Sequence, residues 1–277
     1  MMKSGLIGRS IQASRSPWLH EEEARAQGLA LCYTLVDFDA LSLPESALGD
    51  QLARLREEGY QGFNVTYPFK LAVMPLLDDL AESARIVGAV NTVAIRDGRL
   101  TGHNTDMIGF RESLRIGLPE ARLNHVLQVG AGGAGAAVAN ALLSLGVQRL
   151  QLADVDVHRA VELAERLRGH FRNAVIDTVA AEGLNLNAVD GIVNATPIGM
   201  TSNPGTSIET AALRAEQWVA DIVYFPRETQ LLREARAAGC SVLDGTGMVI
   251  RQAAEAFEII TGHRADVGRM QTAFERS

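Results

Sequence analysis

The chain has 277 residues, 47% hydrophobic and 21% charged, with 26 glycines and 8 prolines, a composition that excludes extensive disorder and leaves room for two domains with cores of their own. A formal net charge of −7 without any Lys/Arg run disfavours nucleic acid and anionic lipid as partners. Cys32 and Cys240 stand in no metal or redox spacing, and the apolar stretch before Arg9 is too short for a signal peptide, so a reducing, cytoplasmic setting is expected.

Toward the N-terminus, short apolar runs at residues 5–8, 31–36 and 62–65 read as strands, alternating with helical patterns over 48–58 and 71–80. Residues 92–95 read as a further strand, followed by the polar cluster Gly102-His103-Asn104-Thr105-Asp106 and another helix. Residues 126–148 carry no charge, but their glycines, with Gln128 and Asn140, argue for a buried strand, a tight turn and a buried helix rather than a membrane span. Strands are then expected over 150–154, 174–179, 191–195, 219–223 and 241–243. Helices are expected over 157–169 and 229–238, the latter stopped by Gly239, and over 248–260. The expected architecture is α/β, with an N-terminal α/β domain (1–106), a doubly wound dinucleotide-type domain (107–244) and C-terminal helices (245–277) that return to the first domain.

Gly130-Ala131-Gly132-Gly133-Ala134-Gly135 satisfies G-x-G-x-x-G, directly after the apolar run 126–129 and at the start of an Ala-rich helix. Such glycines let backbone N–H groups and a helix N-terminus approach a pyrophosphate. Asp154, at the end of the next strand, can accept from ribose hydroxyls and repel a 2′-phosphate; its alternative is a helix N-cap, although Asp156 is better placed for that. Arg159 can stack on adenine or pair with a phosphate.

Elsewhere the residues leave two readings each. Lys70 ends a strand and a Pro-directed turn at an expected helix start, where a cation opposes the helix dipole; it is either functional or a surface lysine. Asp106 is either a reactive carboxylate or a cap, and Ser14-Arg15-Ser16-Pro17 is by itself a cap-and-turn sequence. The six histidines form no ligand spacing, so no metal is implied.

Read in order, seven stretches recur as a set: Gly5-Leu6-Ile7-Gly8; Ser14-x-Ser16-Pro17-x-x-His20; Gly62-x-Asn64-Val65-Thr66-x-Pro68-x-Lys70; Gly88-Ala89-Val90-Asn91-Thr92; Gly102-x-Asn104-Thr105-Asp106-x-x-Gly109; the glycine loop; and Asn194-Ala195-Thr196-Pro197-x-Gly199-Met200, with Gln252 in a late helix. Over essentially the whole chain this set resembles the shikimate dehydrogenase family. The resemblance implies that Lys70 and Asp106 are the catalytic pair and that Ser14 and Ser16 hold a substrate carboxylate. It further implies that Thr66, Asn91, Tyr224 and Gln252 bind ring hydroxyls or the carboxylate, and that Thr196 and Val223 join the glycine loop at the cofactor. NADP-dependent members typically carry an Asn-Arg pair after the second strand of the cofactor domain, whereas this chain has Asp154-Val155-Asp156, similar to the NAD-using quinate/shikimate branch. The implied reaction is oxidation of the C3 hydroxyl of shikimate, or its equivalent in quinate, with NAD preferred and NADP the alternative, by a monomer or homodimer. Two rivals remain: a paralogue acting on an amino-substituted shikimate or related cyclic acid, and a sensor that binds without turnover. Intact Lys70 and Asp106 argue against the sensor.

Overall fold

Strand and helix alternate from the first residues onward in the computed structural model, which describes residues 1–276. Two compact units divide the chain, one of Met1–Gly109 with Ile250–Ser277 and one of Phe110–Val249.

The first unit runs β1 (Met2–Gly8), α1 (Ser16–Ala26), β2 (Leu31–Asp37), α2 (Leu48–Glu57), β3 (Gly62–Val65), β4 (Asp79–Leu80), α3 (Glu82–Val87), β5 (Thr92–Arg96) and β6 (Arg99–His103). Its six-stranded sheet has the order β2-β1-β3-β5-β6-β4, with β1 parallel to both β2 and β3 and β5 antiparallel to both β3 and β6. Helix α2 buries Leu48, Leu52 and Leu55, spaced to share one helical face, in a core with Ile7, Phe38, Phe63 and Phe69. Each such side chain, fully buried, contributes about 1.5–3 kcal/mol.

One expectation fails in this unit. Residues 71–80 form no α-helix; they give a turn, a 3-10 segment at Met74–Leu76 and the short strand β4. Pro75 has no N–H to donate and its ring crowds the preceding turn, so a helix cannot propagate through it. Lys70 consequently lies in a turn and not at a helix start. The polar cluster at 102–106 begins in a strand, since Gly102 and His103 belong to β6, hairpin-paired with β5. Asp97 and Gly98, both at positive φ, close that hairpin.

Helix α4 (Asp106–Gly117) leads into the second unit. There follow β7 (His125–Val129), α5 (Gly133–Ser144), β8 (Arg149–Ala153), α6 (Val157–His170), β9 (Val175–Val179), β10 (Gly191–Asn194), β11 (Trp218–Asp221), α7 (Gln230–Ala237) and β12 (Ser241–Leu243). All neighbours are parallel, in the order β12-β11-β10-β7-β8-β9. The chain reverses direction across the sheet after its third strand, so this is the doubly wound arrangement, with β7 and β10 flanking the switch point. Strands β7 and β10 are buried almost throughout, which explains their continuous apolar character.

Helices α8 (Thr246–Thr261) and α9 (Val267–Arg276) end the described chain, and α9 belongs to the first unit. It docks on α1 through Arg269, whose guanidinium donates to both oxygens of the buried Glu23 at 2.7 and 2.8 Å, and through Trp18 Nε1, which donates to the Ala273 carbonyl at 3.1 Å.

Candidate active site

Lys70 and Asp106 meet in the first unit. The turn after β3 is anchored by the buried Phe69, which packs on Phe38 at 4.4 Å between ring centroids, and by the Lys70 carbonyl, which accepts from Val90 N–H at 2.9 Å. From that fixed backbone Lys70 Nζ donates to Asp106 Oδ2 at 2.6 Å. Asp106 is the first residue of α4, and the cap-like bond to that helix comes from Asn104, whose Oδ1 accepts from Met107 N–H at 3.2 Å. The capping alternative for Asp106 therefore falls away, as does the free surface lysine: the side chains of Lys70 and Asp106 are 20% and 8% exposed. A partly desolvated ammonium beside a carboxylate can exchange a proton with a hydroxyl laid against it.

Asn91, directly before β5, donates through Nδ2 to Thr105 Oγ1 at 2.9 Å and accepts at Oδ1 from Thr105 N–H at 2.8 Å. Gln252 Oε1 accepts from Thr105 Oγ1 at 3.3 Å and lies 3.5 Å from Asn91 Nδ2. Thr105 precedes Asp106 in the chain, so this amide and hydroxyl cluster adjoins the ionic pair. Buried Asn64 extends it, donating to Thr92 Oγ1 at 3.0 Å and accepting from Tyr33 Oη at 2.8 Å. The sequence reading gave Thr105 and Asn64 no part here; their only signal was membership of the recurring motifs.

Ser14 and Ser16 stand where α1 begins, with the Ser14 hydroxyl donating to Ser16 Oγ at 3.2 Å and also accepting from Ser16 N–H at 3.2 Å. The segment before them is pinned from β2: the Asp37 carboxylate accepts from Ser10 N–H, Ile11 N–H and Gln12 Nε2, each at 3.0 Å, and Ser14 N–H donates to the Ile11 carbonyl at 2.9 Å. Burial alone would raise the Asp37 pKa, but Gln12 Nε2 and the Ile11 and Asp39 N–H groups hold it below the usual carboxylate value. Two hydroxyls at a helix N-terminus suit a carboxylate ligand. Thr66 lies beside this loop, so close to Gly8 that a Cβ there would meet Thr66 Cγ2 at 2.5 Å and Ile11 Cγ2 at 2.8 Å. Tyr224 belongs to the second unit, beyond β11, and is 41% exposed.

In the second unit the glycine turn divides its labour. Gly130 has φ +105°, and a Cβ there would meet the Ala195 carbonyl oxygen at 2.5 Å; one on Gly135 would meet the Gly130 carbonyl oxygen at 2.2 Å. The first glycine thus permits the turn and the last lets α5 close on the strand. A Cβ on Gly132 would meet nothing within 4 Å, so the middle of the turn is open to a ligand approaching the Ala131, Gly133 and Ala134 backbone at the start of α5. Gln128, fully buried, staples the turn by donating to the carbonyls of Gly130 and Gly135, each at 2.8 Å.

Asp154 accepts from Ala131 N–H at 2.7 Å and Asp156 N–H at 2.9 Å, while Asp156 caps α6 by accepting from His158 N–H at 3.1 Å. The capping alternative for Asp154 is excluded; its carboxylate is fastened to the glycine turn, with acceptor capacity left for hydroxyls. Arg159 pairs with Asp156 at 3.2 Å and is largely exposed. Thr196 Oγ1 donates to Asn194 Oδ1 at 2.6 Å, and Val223 N–H donates to Asp221 Oδ1 at 3.0 Å, at the carboxyl ends of β10 and β11. These residues fit a dinucleotide. Among the described residues, no cluster of His, Cys, Asp and Glu has the makings of a metal site.

Comparison with known proteins finds relatives over nearly the whole chain. Residues 6–93 match the shikimate dehydrogenase substrate binding domain, and residues 245–273 match the shikimate 5'-dehydrogenase C-terminal domain. A quinate/shikimate dehydrogenase (NAD(+)) of Corynebacterium efficiens is 48% identical, the match covering 98% of this chain and 96% of the relative. A shikimate dehydrogenase (NADP(+)) of Arthrobacter sp. is 47% identical over 98% of this chain and 93% of its own length. The structure of quinate dehydrogenase from Corynebacterium glutamicum in complex with NAD superposes with a TM-score of 0.94 at 45% identity, covering 100% of this chain and 99% of that one.

Proposed function

The chain belongs to the shikimate dehydrogenase family, and from that premise we propose that it reversibly oxidises the C3 hydroxyl of shikimate, or the equivalent hydroxyl of quinate, to the 3-dehydro ketone, with NAD preferred over NADP. The observation that carries this reading is the 2.6 Å contact between Lys70 and Asp106 beside a cluster of buried and half-buried amides and hydroxyls. Lys70 Nζ exchanges the proton of the reacting hydroxyl, and Asp106 Oδ2 fixes where that nitrogen points. Asn91, Thr66, Gln252 and Tyr224 take ring hydroxyls or the carboxylate, and Ser14 with Ser16 donates to the carboxylate at the positive end of α1. NAD supplies the hydride acceptor at its nicotinamide ring. Residues 130–135, Asp154, Arg159, Thr196 and Val223 bind and orient it.

Cofactor choice rests on Asp154. A 2′-phosphate would add about two negative charges against that carboxylate, each unit pair at ~4 Å costing up to ~4 kcal/mol at an effective dielectric near 20. Arg159 offsets little of this, since it is exposed and already paired with Asp156. The first unit is the substrate domain in this reading and the second the cofactor domain. Free Cys32 and Cys240 support a reducing, cytoplasmic setting, the net charge of −7 argues against nucleic acid as a partner, and the resemblance implies a monomer or homodimer. Among the described residues no helix is long and apolar enough to cross a membrane.

The test is a steady-state assay crossing shikimate and quinate with NAD and NADP. Reduction with NAD and at least one of the two acids is expected; no reduction in any of the four combinations would sink the proposal.

A further inference from the structure

Asp221 is the last residue of β11, 2% exposed, and sequence reading gave it no role. Its partners are neutral donors. Oδ1 accepts from Asn194 Nδ2 at 2.9 Å and from Val223 N–H at 3.0 Å, and Oδ2 accepts from the Thr229 hydroxyl at 2.7 Å. Burial pushes its carboxyl pKa up, and the three donors only partly oppose that. A buried carboxylate balanced by no cation among the described residues is a poor way to stabilise a sheet, so its presence needs another reason.

The contacts supply one. Asn194 is the register partner of both Asp221 and Val129, so the three form one row across the carboxyl ends of β11, β10 and β7. While Asn194 donates to Asp221 and to the Ile198 carbonyl, its own Oδ1 accepts both Thr196 N–H at 3.1 Å and Thr196 Oγ1 at 2.6 Å. The next layer is the glycine turn: a Cβ on Gly130 would meet Ala195 O at 2.5 Å and Thr196 Cγ2 at 3.0 Å. On the other side Thr229 accepts from Leu232 N–H and so caps α7. One carboxylate therefore fixes the 194–198 loop, the backbone at Val223 and the start of α7, and through the first of these the wall of the glycine turn.

We propose that Asp221 is the positioning residue of the dinucleotide site, its carboxylate holding the 194–198 and 222–223 segments in register at the carboxyl edge of the second sheet. The proposal rests on the reading of this unit as the cofactor domain. Neutralising the carboxylate turns one acceptor into a donor that faces the existing donors, which loosens both segments while leaving the first unit's substrate residues alone.

The experiment uses the full chain carrying Asp221→Asn or Thr229→Val, titrated with NAD by calorimetry and followed by amide deuterium exchange. Asp221→Asn should raise the NAD Kd ~10-fold or more and Thr229→Val, which removes one donor of three, ~3-fold, with a clearly smaller rise in the shikimate KM in both, since of the proposed substrate residues only Tyr224 lies in the loosened segments. Exchange should quicken at 194–198 and 222–224. A merely structural role would not produce this split between cofactor and substrate. An NAD Kd within ~2-fold of wild type in folded Asp221→Asn, or in Thr229→Val where Asp221→Asn does not fold, overturns the proposal, as does an equal rise in the shikimate KM. A wild-type chain that binds no NAD overturns the proposed function instead, and exchange then decides on Asp221: quickening confined to the two segments supports its role, and unchanged exchange overturns it.

Discussion

Lys70 and Asp106 are brought to 2.6 Å from positions 36 residues apart, one on a hydrogen-bonded turn and the other at the start of α4. Lys70→Ala is expected to lower kcat by ~10²-fold or more while shikimate still binds, as loss of a proton-transfer group should. Asp106→Ala should be comparably damaging, and the double variant little worse than either single one, since the two act as a unit. Strictly additive losses, or a kcat close to wild type in Lys70→Ala, would remove the pair from the chemistry. Asp154 makes a separate claim. With one oxygen on Ala131 N–H and the other on Asp156 N–H, it is fixed in place and cannot swing away from a 2′-phosphate. Wild type should favour NAD over NADP by roughly tenfold or more in kcat/KM, a net ~1.4 kcal/mol. Asp154→Ser should narrow that gap mainly by improving NADP; equal use of both cofactors by wild type would refute the assignment.

At the scale of elements, α9 is fastened to α1 by one buried carboxylate. Desolvation alone would raise the Glu23 pKa, but Arg269, Asp266 N–H and Gln27 together hold it below its ordinary value. The stabilisation this represents is present above that ordinary value and is lost as pH falls through the lower, folded one. Arg269→Ala strands a carboxylate whose side chain is fully buried. It should cost about 1–3 kcal/mol in denaturant unfolding at neutral pH, less than a fully buried pair because Arg269 is itself partly exposed. An unfolding midpoint equal to wild type would show that α9 docks without this pair. Because α1 begins at Ser16, the same variant should also raise the KM for shikimate more than the KM for NAD.

For the whole molecule, acid stability turns on His20. It is 1% exposed, packed against Tyr33 and Phe257, its Nδ1 has no hydrogen-bond partner among the described residues, and burial pushes its pKa down to about 4 from 6.5. Between those values the unfolded chain binds a proton that the folded chain does not, so stability falls as pH drops from 6.5 toward 4. The full effect is on the order of 3 kcal/mol. Carboxylates with depressed values, Glu23 and Asp37, add their losses at lower pH. His20→Leu should flatten unfolding free energy against pH across that first window, whatever it does to stability at pH 7. A slope as steep as that of wild type would assign the transition to other groups.

What could be read from the chain alone was local. The strand, turn and helix around Gly130–Gly135, the cap at Asp156 and the stop at Gly239 each follow from residues within a few positions of one another, through side-chain periodicity and turn chemistry. Pro75 and Asp97-Gly98 are local signals of the same kind, the first ending the helical pattern over 71–80 and the second turning β5 into β6. Motif resemblance put Lys70, Asp106, Asn91 and Gln252 forward without saying how they meet. Their contacts span 36 to 161 positions, and nothing within a helical turn or a strand's alternation encodes a pairing at that range. Only folded strands β3 and β5, with α4 and α8, carry those side chains to one place. The same holds for Asp154 against Asp156: both stand in cap-like sequence, and the choice between them was made by Ala131 N–H, brought from a different strand-to-helix turn.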